Sequence, residues 1–163
     1  MPLASPHRRN AATRFDSPEQ EVFLNLWRTY DRLRAYEDEL FREFDLTPQQ
    51  YNVLRLLGTA RPNAVPTLIL ADRLVSRAPD ITRMLDKLEQ VGFVARERPP
   101  ENRRQVLISI TDAGSDLLDK IAGPLRDCHA KQLGHLAKAD LKRLATLLRV
   151  AREPHEPSGS TWL

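Results

Sequence analysis

A mainly α fold with one small β-hairpin (α+β) is predicted by three features of the chain. Apolar residues recur at three- and four-residue spacing over most of its length, only one pair of segments reads as paired strands, and glycine is sparse, at 6 of 163 residues. A hydrophobic content of 41% with 29% charged residues is ordinary for a globular chain, and the length suits about one domain.

Residues 1–17 are polar and contain proline, so they read as a disordered arm. Ser17-Pro18-Glu19-Gln20 supplies an N-cap, a proline at the first helical position and a capping-box glutamine. From there Phe23, Leu26, Trp27, Tyr30, Leu33, Leu40, Phe41 and Phe44 form one wide apolar stripe, predicting a helix over roughly 18–44. That stripe is longer than one small domain normally covers, which points to a partner surface. Thr47-Pro48-Gln49-Gln50 repeats the capping box, with Leu46 and Tyr51 placed to staple it; the helix it opens is expected to stop at Gly58 and the Arg61-Pro62-Asn63 turn.

A short helix follows over about Thr67–Leu74, burying Leu70, Ala71 and Leu74. After Val75-Ser76-Arg77-Ala78-Pro79, a further helix over about Pro79–Val91 buries Ile81, Met84, Leu85 and Leu88 and ends at Gly92 in a left-handed cap. Phe93–Arg98 and Gln105–Ile110 read as the hairpin strands, joined by Pro99-Pro100-Glu101-Asn102-Arg103-Arg104, where two prolines block strand extension. Thr111-Asp112 caps a fifth helix with Leu117, Leu118, Ile121 and Leu125 inward, kinked or divided at Pro124. The last helix, over about 138–152, is expected to bury Leu141, Leu144, Leu147 and Leu148. The predicted order is α-α-α-α-β-β-α-α, with no internal repeat.

Two short helices around a small-residue turn, followed at once by an arginine-tipped hairpin, form the layout of a winged helix-turn-helix. In that layout the second helix presents its N-terminal turn to base edges in the major groove. Ser76, Arg77, Ala78, Pro79, Asp80, Thr82 and Arg83 make up that turn, and Lys87 continues the outer face one turn on. The bland alternative is a solvated polar face, with the wing's Arg103 and Arg104 an ordinary polar loop tip. Arg96 and Arg98 alternate along one strand, face the same side, and read as phosphate contacts rather than base readers. The net charge of +3 says little, but 20 of the 25 basic residues are arginine, the side chain suited to bidentate phosphate and guanine contacts. A GC-rich genome would produce the same bias.

The segments LTPQQYNVLRLL, LADRLVSRAPDITRMLDKLEQVGFVARE and ENRRQVLISITDAG, about 70 continuous residues, resemble the MarR (multiple antibiotic resistance regulator) family of bacterial winged-helix transcription factors. The resemblance implies a homodimer with interlocking terminal helices that binds double-stranded DNA at a pseudo-palindromic operator. It implies a repressor released most often by a small aromatic or lipophilic ligand, or by oxidation. Position by position it implies that Thr82 and Arg83 contact DNA, that Lys87 is a basic position one turn on, and that Arg104 is the wing arginine that enters the minor groove. The chain departs from the family at Asn102, which replaces an aspartate, and at Pro99, where an acidic residue is common. Asparagine offers the wing arginine only a neutral hydrogen bond, so wing insertion is a weaker expectation than major-groove docking.

On this reading residues 18–45 and 111–153 form a helical dimerisation region, 46–110 the DNA-binding winged helix-turn-helix, and 154–163 a flexible tail. Trp27, Tyr30, Tyr51 and His129 are candidates to line an effector pocket, although aromatics at helical spacing are more often core. Cys128, the single cysteine, excludes an intramolecular disulfide. Flanked by Arg126 and His129 it is a candidate redox switch, and otherwise a structural thiol. A winged-helix protein-interaction module without DNA binding is the other alternative, and it would call for an apolar or acidic outer face on the fourth helix.

No enzyme signature is present: there is no Gly-rich phosphate loop, nucleophile elbow or His-Glu-x-x-His, and His7, His129, His135 and His155 lie outside the central unit. No cofactor is expected. No apolar run approaches the ~18 residues that span a bilayer, and MPLASPHRRNAATRF lacks the apolar stretch of a secretory signal. The expected compartment is the bacterial cytoplasm, on the nucleoid.

Overall fold

Local capping chemistry starts the first two helices where the sequence predicts. In the computed structural model, which describes residues 14–75 and 80–158, helix α1 spans Pro18–Arg42 and α2 spans Pro48–Ala60. The Ser17 hydroxyl accepts from the Gln20 amide at 3.1 Å, while the Gln20 side chain reaches one residue further back than a capping box requires, to Asp16. At α2 both arms of the box close, with the Gln50 amide on Thr47 Oγ1 and the Thr47 amide on Gln50 Oε1.

The described residues divide into two compact units, the first reaching Ala35 and the second running from Tyr36. In the first, α1 exposes Val22, Phe23, Leu26, Trp27 and Tyr30, and the Phe23 and Trp27 rings meet edge to face. The second unit holds the core. The end of α1 contributes Leu40 and Phe41 to it and closes in a left-handed turn at Asp45, whose φ is 54°. The Leu46 amide donates back to the Phe41 carbonyl there, the wrapping bond of a Schellman cap.

After α2 the chain forms a two-residue strand β1 (Val65–Pro66), then α3 (Thr67–Asp72), α4 (Ile81–Gln90), β2 (Val94–Glu97), β3 (Leu107–Ile110), α5 (Asp112–Leu133) and α6 (Lys138–Arg152). The sheet is antiparallel in the order β1-β3-β2. Its first strand escapes sequence reading because two residues carry no alternation; the partner strand makes it, through Val65 opposite Ile108 and the Thr67 amide on the Val106 carbonyl. Val53, Leu54 and Leu57 of α2, Leu70 of α3, Leu85 and Leu88 of α4, Val94, Ile108, and Ile121 and Leu125 of α5 close one apolar core.

Four expectations change. Gly58 does not stop α2; it is a helical residue, and a Cβ there would come within 2.8 Å of Leu118 Cδ1 on α5. Pro124 does not divide α5, which is one helix across it. The predicted inward face of α6 is not buried: no α6 side chain is buried, and Leu144, Leu147, Leu148 and Val150 are exposed, because among the described residues nothing covers that stripe. The expected tail from Pro154 begins inside a short 3-10 turn, Glu153–His155, held by an Arg152–Glu156 ion pair at 2.7 Å.

One junction ties the wing to the core. Helix α4 ends in a Schellman cap at Gly92, whose φ is 80°, with the Phe93 amide on the Leu88 carbonyl. The Thr111 hydroxyl donates to the Gly92 carbonyl at 2.6 Å and accepts from the Gly114 amide at 3.1 Å, and the Thr111 amide donates to the Phe93 carbonyl. Helix α5 approaches so closely that a Cβ on Gly114 would lie 2.3 Å from the Phe93 carbonyl oxygen. Gly114→Ala is therefore expected to cost about 3 kcal/mol, since backbone rather than a side-chain end must yield. Gly92→Ala, with open space but a left-handed backbone, is expected to cost only about 1 kcal/mol. Thermal unfolding of both variants checks the order; equal costs would show that the close approach is not the constraint.

Candidate nucleic-acid interface

The exposed face of α4 is set by its inner one. Leu85 and Leu88 are buried and Ile81 and Met84 half-buried, so Thr82, Arg83, Asp86, Lys87 and Glu89 are left outside. Asp80 is the N-cap, its carboxylate accepting from the Arg83 amide at 3.2 Å, so the helix starts at Ile81 and not at Pro79. Part of the Asp80 side chain's capacity is thereby used locally. Of the other residues expected at the recognition turn, Ser76, Arg77, Ala78 and Pro79 lie outside the described residues.

Two clefts flank α4. The first, of about 360 Å³, is lined by Asp80, Arg83, Met84 and Lys87 of the α4 segment and by Thr47 and Gln50 at the start of α2. The second, of about 470 Å³, lies toward the hairpin and includes Thr82, Arg96, Arg98 and Arg104 together with Thr67 and Gln105. The structure thus sorts the expected residues into two groups: Arg83 and Lys87 on one side of α4, Thr82 and three arginines on the other. Thr47, Gln50, Thr67 and Gln105 escaped sequence reasoning, because only the tertiary fold brings a helix start and the hairpin's lead-in beside α4.

The hairpin is shorter in strand and longer in loop than its sequence suggests. Successive turns, with the Asn102 amide on the Pro99 carbonyl and the Gln105 amide on the Asn102 carbonyl, extend the loop through residues 98–106. Arg98 Nη1 donates to the Arg103 carbonyl at 3.2 Å and braces that loop from within. Arg103 and Arg104 are exposed. Among the described residues no hydrogen bond joins the Asn102 side chain to Arg104.

Arg96 and Arg98 do share a side, as their spacing implies, but that side is the inner face of the hairpin, two residues on from buried Val94. The Arg96 guanidinium therefore meets α4 rather than open solvent: Nη1 lies 2.5 Å from Asp86 Oδ1 and 3.5 Å from Glu89 Oε2, and Nη2 donates to the Thr82 carbonyl at 3.2 Å. The Arg96 side chain, read from the sequence as a phosphate contact, is thus held on α4. The outer face of α4 is also less uniformly basic than expected, since Asp86 and Glu89 share it with Arg83 and Lys87.

The effector and redox candidates are placed as follows. Trp27 and Tyr30 are both 62% exposed, in the first unit. Tyr51 stacks on Phe41 with centroids 4.7 Å apart, and burial pushes its hydroxyl pKa up, so it serves the core. His129 Nε2 stands 3.4 Å from Glu37 Oε1. Cys128 is only 6% exposed, and burial, followed by the nearby Glu37 carboxylate, raises its thiol pKa. That is opposite to what a reactive thiol needs.

Comparison with known proteins identifies relatives of the chain and of its fold. The profile of the MarR family matches residues 46–106. The chain is 33% identical over 111 residues to the uncharacterized HTH-type transcriptional regulator YkoM of Bacillus subtilis (strain 168), covering 66% of this chain and 71% of that protein. It is similar to a MarR transcription factor from Planctomyces limnophilus, whose crystal structure matches at 52% identity and TM-score 0.67 over 84% of this chain and 99% of that one. The fold of Sco3205, a MarR family transcriptional regulator from Streptomyces coelicolor solved in complex with DNA, matches at TM-score 0.77 and 22% identity over 94% and 99% of the two chains.

The placement of Cys128 sets a measurable expectation. Iodoacetamide should label the folded protein at neutral pH at least about tenfold more slowly than the urea-unfolded chain. Equal rates would return the thiol to the list of candidate switches.

Proposed function

The chain belongs to the MarR family, and from that premise we propose that it is a homodimeric repressor that occupies a pseudo-palindromic operator and is released by a small aromatic or lipophilic ligand. That it is a DNA-binding transcription regulator, and not an enzyme, follows from the family. The observation that carries the finer reading is the pair Arg83 and Lys87, exposed one turn apart on α4 and lining the same cleft. In the proposed complex α4 enters the major groove, Arg83 reads a base edge with Thr82 beside it, and Lys87 meets a phosphate. Arg103 and Arg104 at the wing tip reach the backbone and the adjacent minor groove. Arg77 and its neighbours at 76, 78 and 79 complete the contact surface as the sequence implies.

The homodimer is supported by two stripes exposed among the described residues: the aromatic face of α1, and α6, which buries none of its side chains. Exposed apolar patches of this extent are uncommon on monomers. We assign 18–45 and 111–153 to dimerisation and 46–110 to DNA binding, with the two recognition helices about 34 Å apart, one turn of DNA. For the effector, Trp27, Tyr30 and His129 remain the candidate contacts, and Tyr51 contributes only if its stack on Phe41 opens. No described helix is long and apolar enough to cross a membrane. The cytoplasm, on the nucleoid, is the proposed compartment because the template is there.

Arg83→Ala is expected to weaken operator binding by about 1–3 kcal/mol and to blur preference at one base pair. Arg104→Ala should cost less, with its loss concentrated on sites whose A·T-rich flanks narrow the minor groove. Competition binding on a randomised operator library reads both; unchanged selectivity in Arg83→Ala removes the base-reading role. Native mass spectrometry at micromolar concentration should show twice the chain mass, and a monomer there contradicts the dimer.

A further inference from the structure

Arg96 is the one wing arginine whose guanidinium is held on the recognition helix itself. Its three acceptors, Thr82, Asp86 and Glu89, stand one turn apart along a single stripe of α4. Side-chain exposure is 24% for Arg96 and 56% for Asp86, so the pair lies half out of water at the edge of the cleft toward the wing. The strand dictates this placement. Arg96 follows buried Val94 by two residues and pairs with fully buried Ile108, so its stem must cross the inner face of the hairpin.

We propose that Arg96 is a positioning residue for DNA recognition: it fixes the angle between α4 and the wing and offsets part of the negative charge of Asp86 and Glu89, without itself contacting DNA. This rests on the DNA-binding reading and deepens it. Asp80, Asp86 and Glu89 outnumber Arg83 and Lys87, so α4 with its cap is by itself net negative. That single excess carboxylate disfavours phosphates, and the arginine from the neighbouring strand offsets it. Recruiting that guanidinium to a phosphate would break charge-assisted bonds at both nitrogens and strand two carboxylates beside DNA. A planar fork spans acceptors on successive turns; a lysine ammonium offers one point charge and cannot. Asp86 is thereby assigned as the partner that holds Arg96, and Arg98, through the Arg103 carbonyl, braces the loop beyond.

The test uses a labelled duplex selected by the wild-type protein from a random-sequence pool, with affinity measured over a series of salt concentrations. Arg96→Lys, which keeps the charge, is expected to bind about tenfold more weakly because the fork is lost. Arg96→Met is expected to weaken binding while the slope of log K against log salt stays near the wild-type value; loss of a phosphate contact would flatten that slope by about one unit. The exchange pair Asp86→Arg with Arg96→Glu should recover most of what Arg96→Glu alone loses. Thermal melts fix a temperature at which all variants are folded, and if Arg96→Glu does not fold, the lysine and methionine variants decide. Wild-type affinity in Arg96→Lys, a one-unit slope change in Arg96→Met, or no recovery in the exchange pair overturns the proposal and leaves DNA binding intact. Failure of the wild-type protein to select or bind any duplex overturns the regulator reading as well.

Discussion

Thr111 joins three elements at one point. It caps α5 through the Gly114 amide and donates to the Gly92 carbonyl at the end of α4, while its own amide holds the Phe93 carbonyl at the start of the hairpin. Each of these backbone groups would otherwise be an orphan at an element's end, and pairing them through one side chain satisfies several together. The geometry requires both glycines, for different reasons. Gly92 supplies a left-handed φ, and Gly114 lets α5 pass against the Phe93 carbonyl. Wing and recognition helix therefore hold a fixed relation to the core before anything binds.

That fixed relation divides the charged surface in two. On one flank of α4, Arg83 and Lys87 stand over the cleft toward the α2 start; on the other, Thr82 shares a cleft with Arg96, Arg98 and Arg104. The arginines of the wing are not equivalent. Arg96 is turned onto α4, Arg98 braces the loop, and Arg103 and Arg104 are exposed. Counting basic residues would rank them alike. Strand alternation and loop turns separate those that hold the scaffold from those available to a nucleic acid.

The terminal helices show the limit of a single chain. α1 and α6 carry apolar stripes as regular as those of the core helices, yet most of those side chains remain exposed. Hydrophobic periodicity specifies a face that is to be covered but not by what, and among the described residues these two faces remain exposed. The homodimer proposed above is the economical cover for both. Cys128 is buried and its thiol pKa is raised, which counts against oxidation as the releasing event of the proposed repressor.

The sequence by itself determined every feature that depends on neighbours along the chain. These are the Ser17 cap, the capping box at Thr47, the inward stripe Ile81, Met84, Leu85 and Leu88, the Gly92 exit, the Thr111 cap and the helix-helix-hairpin order. Tertiary structure decided what depends on partners distant in sequence. Strand β1 exists because Ile108 and Val106 pair with it, Gly58 lies where α2 and α5 close on each other, and Arg96, turned inward by strand alternation, is held there by Asp86 and Glu89. The physical reason is one of range. Caps and helical periods are satisfied within a few residues, whereas the fate of a long charged side chain is set by whichever charges folding brings within reach.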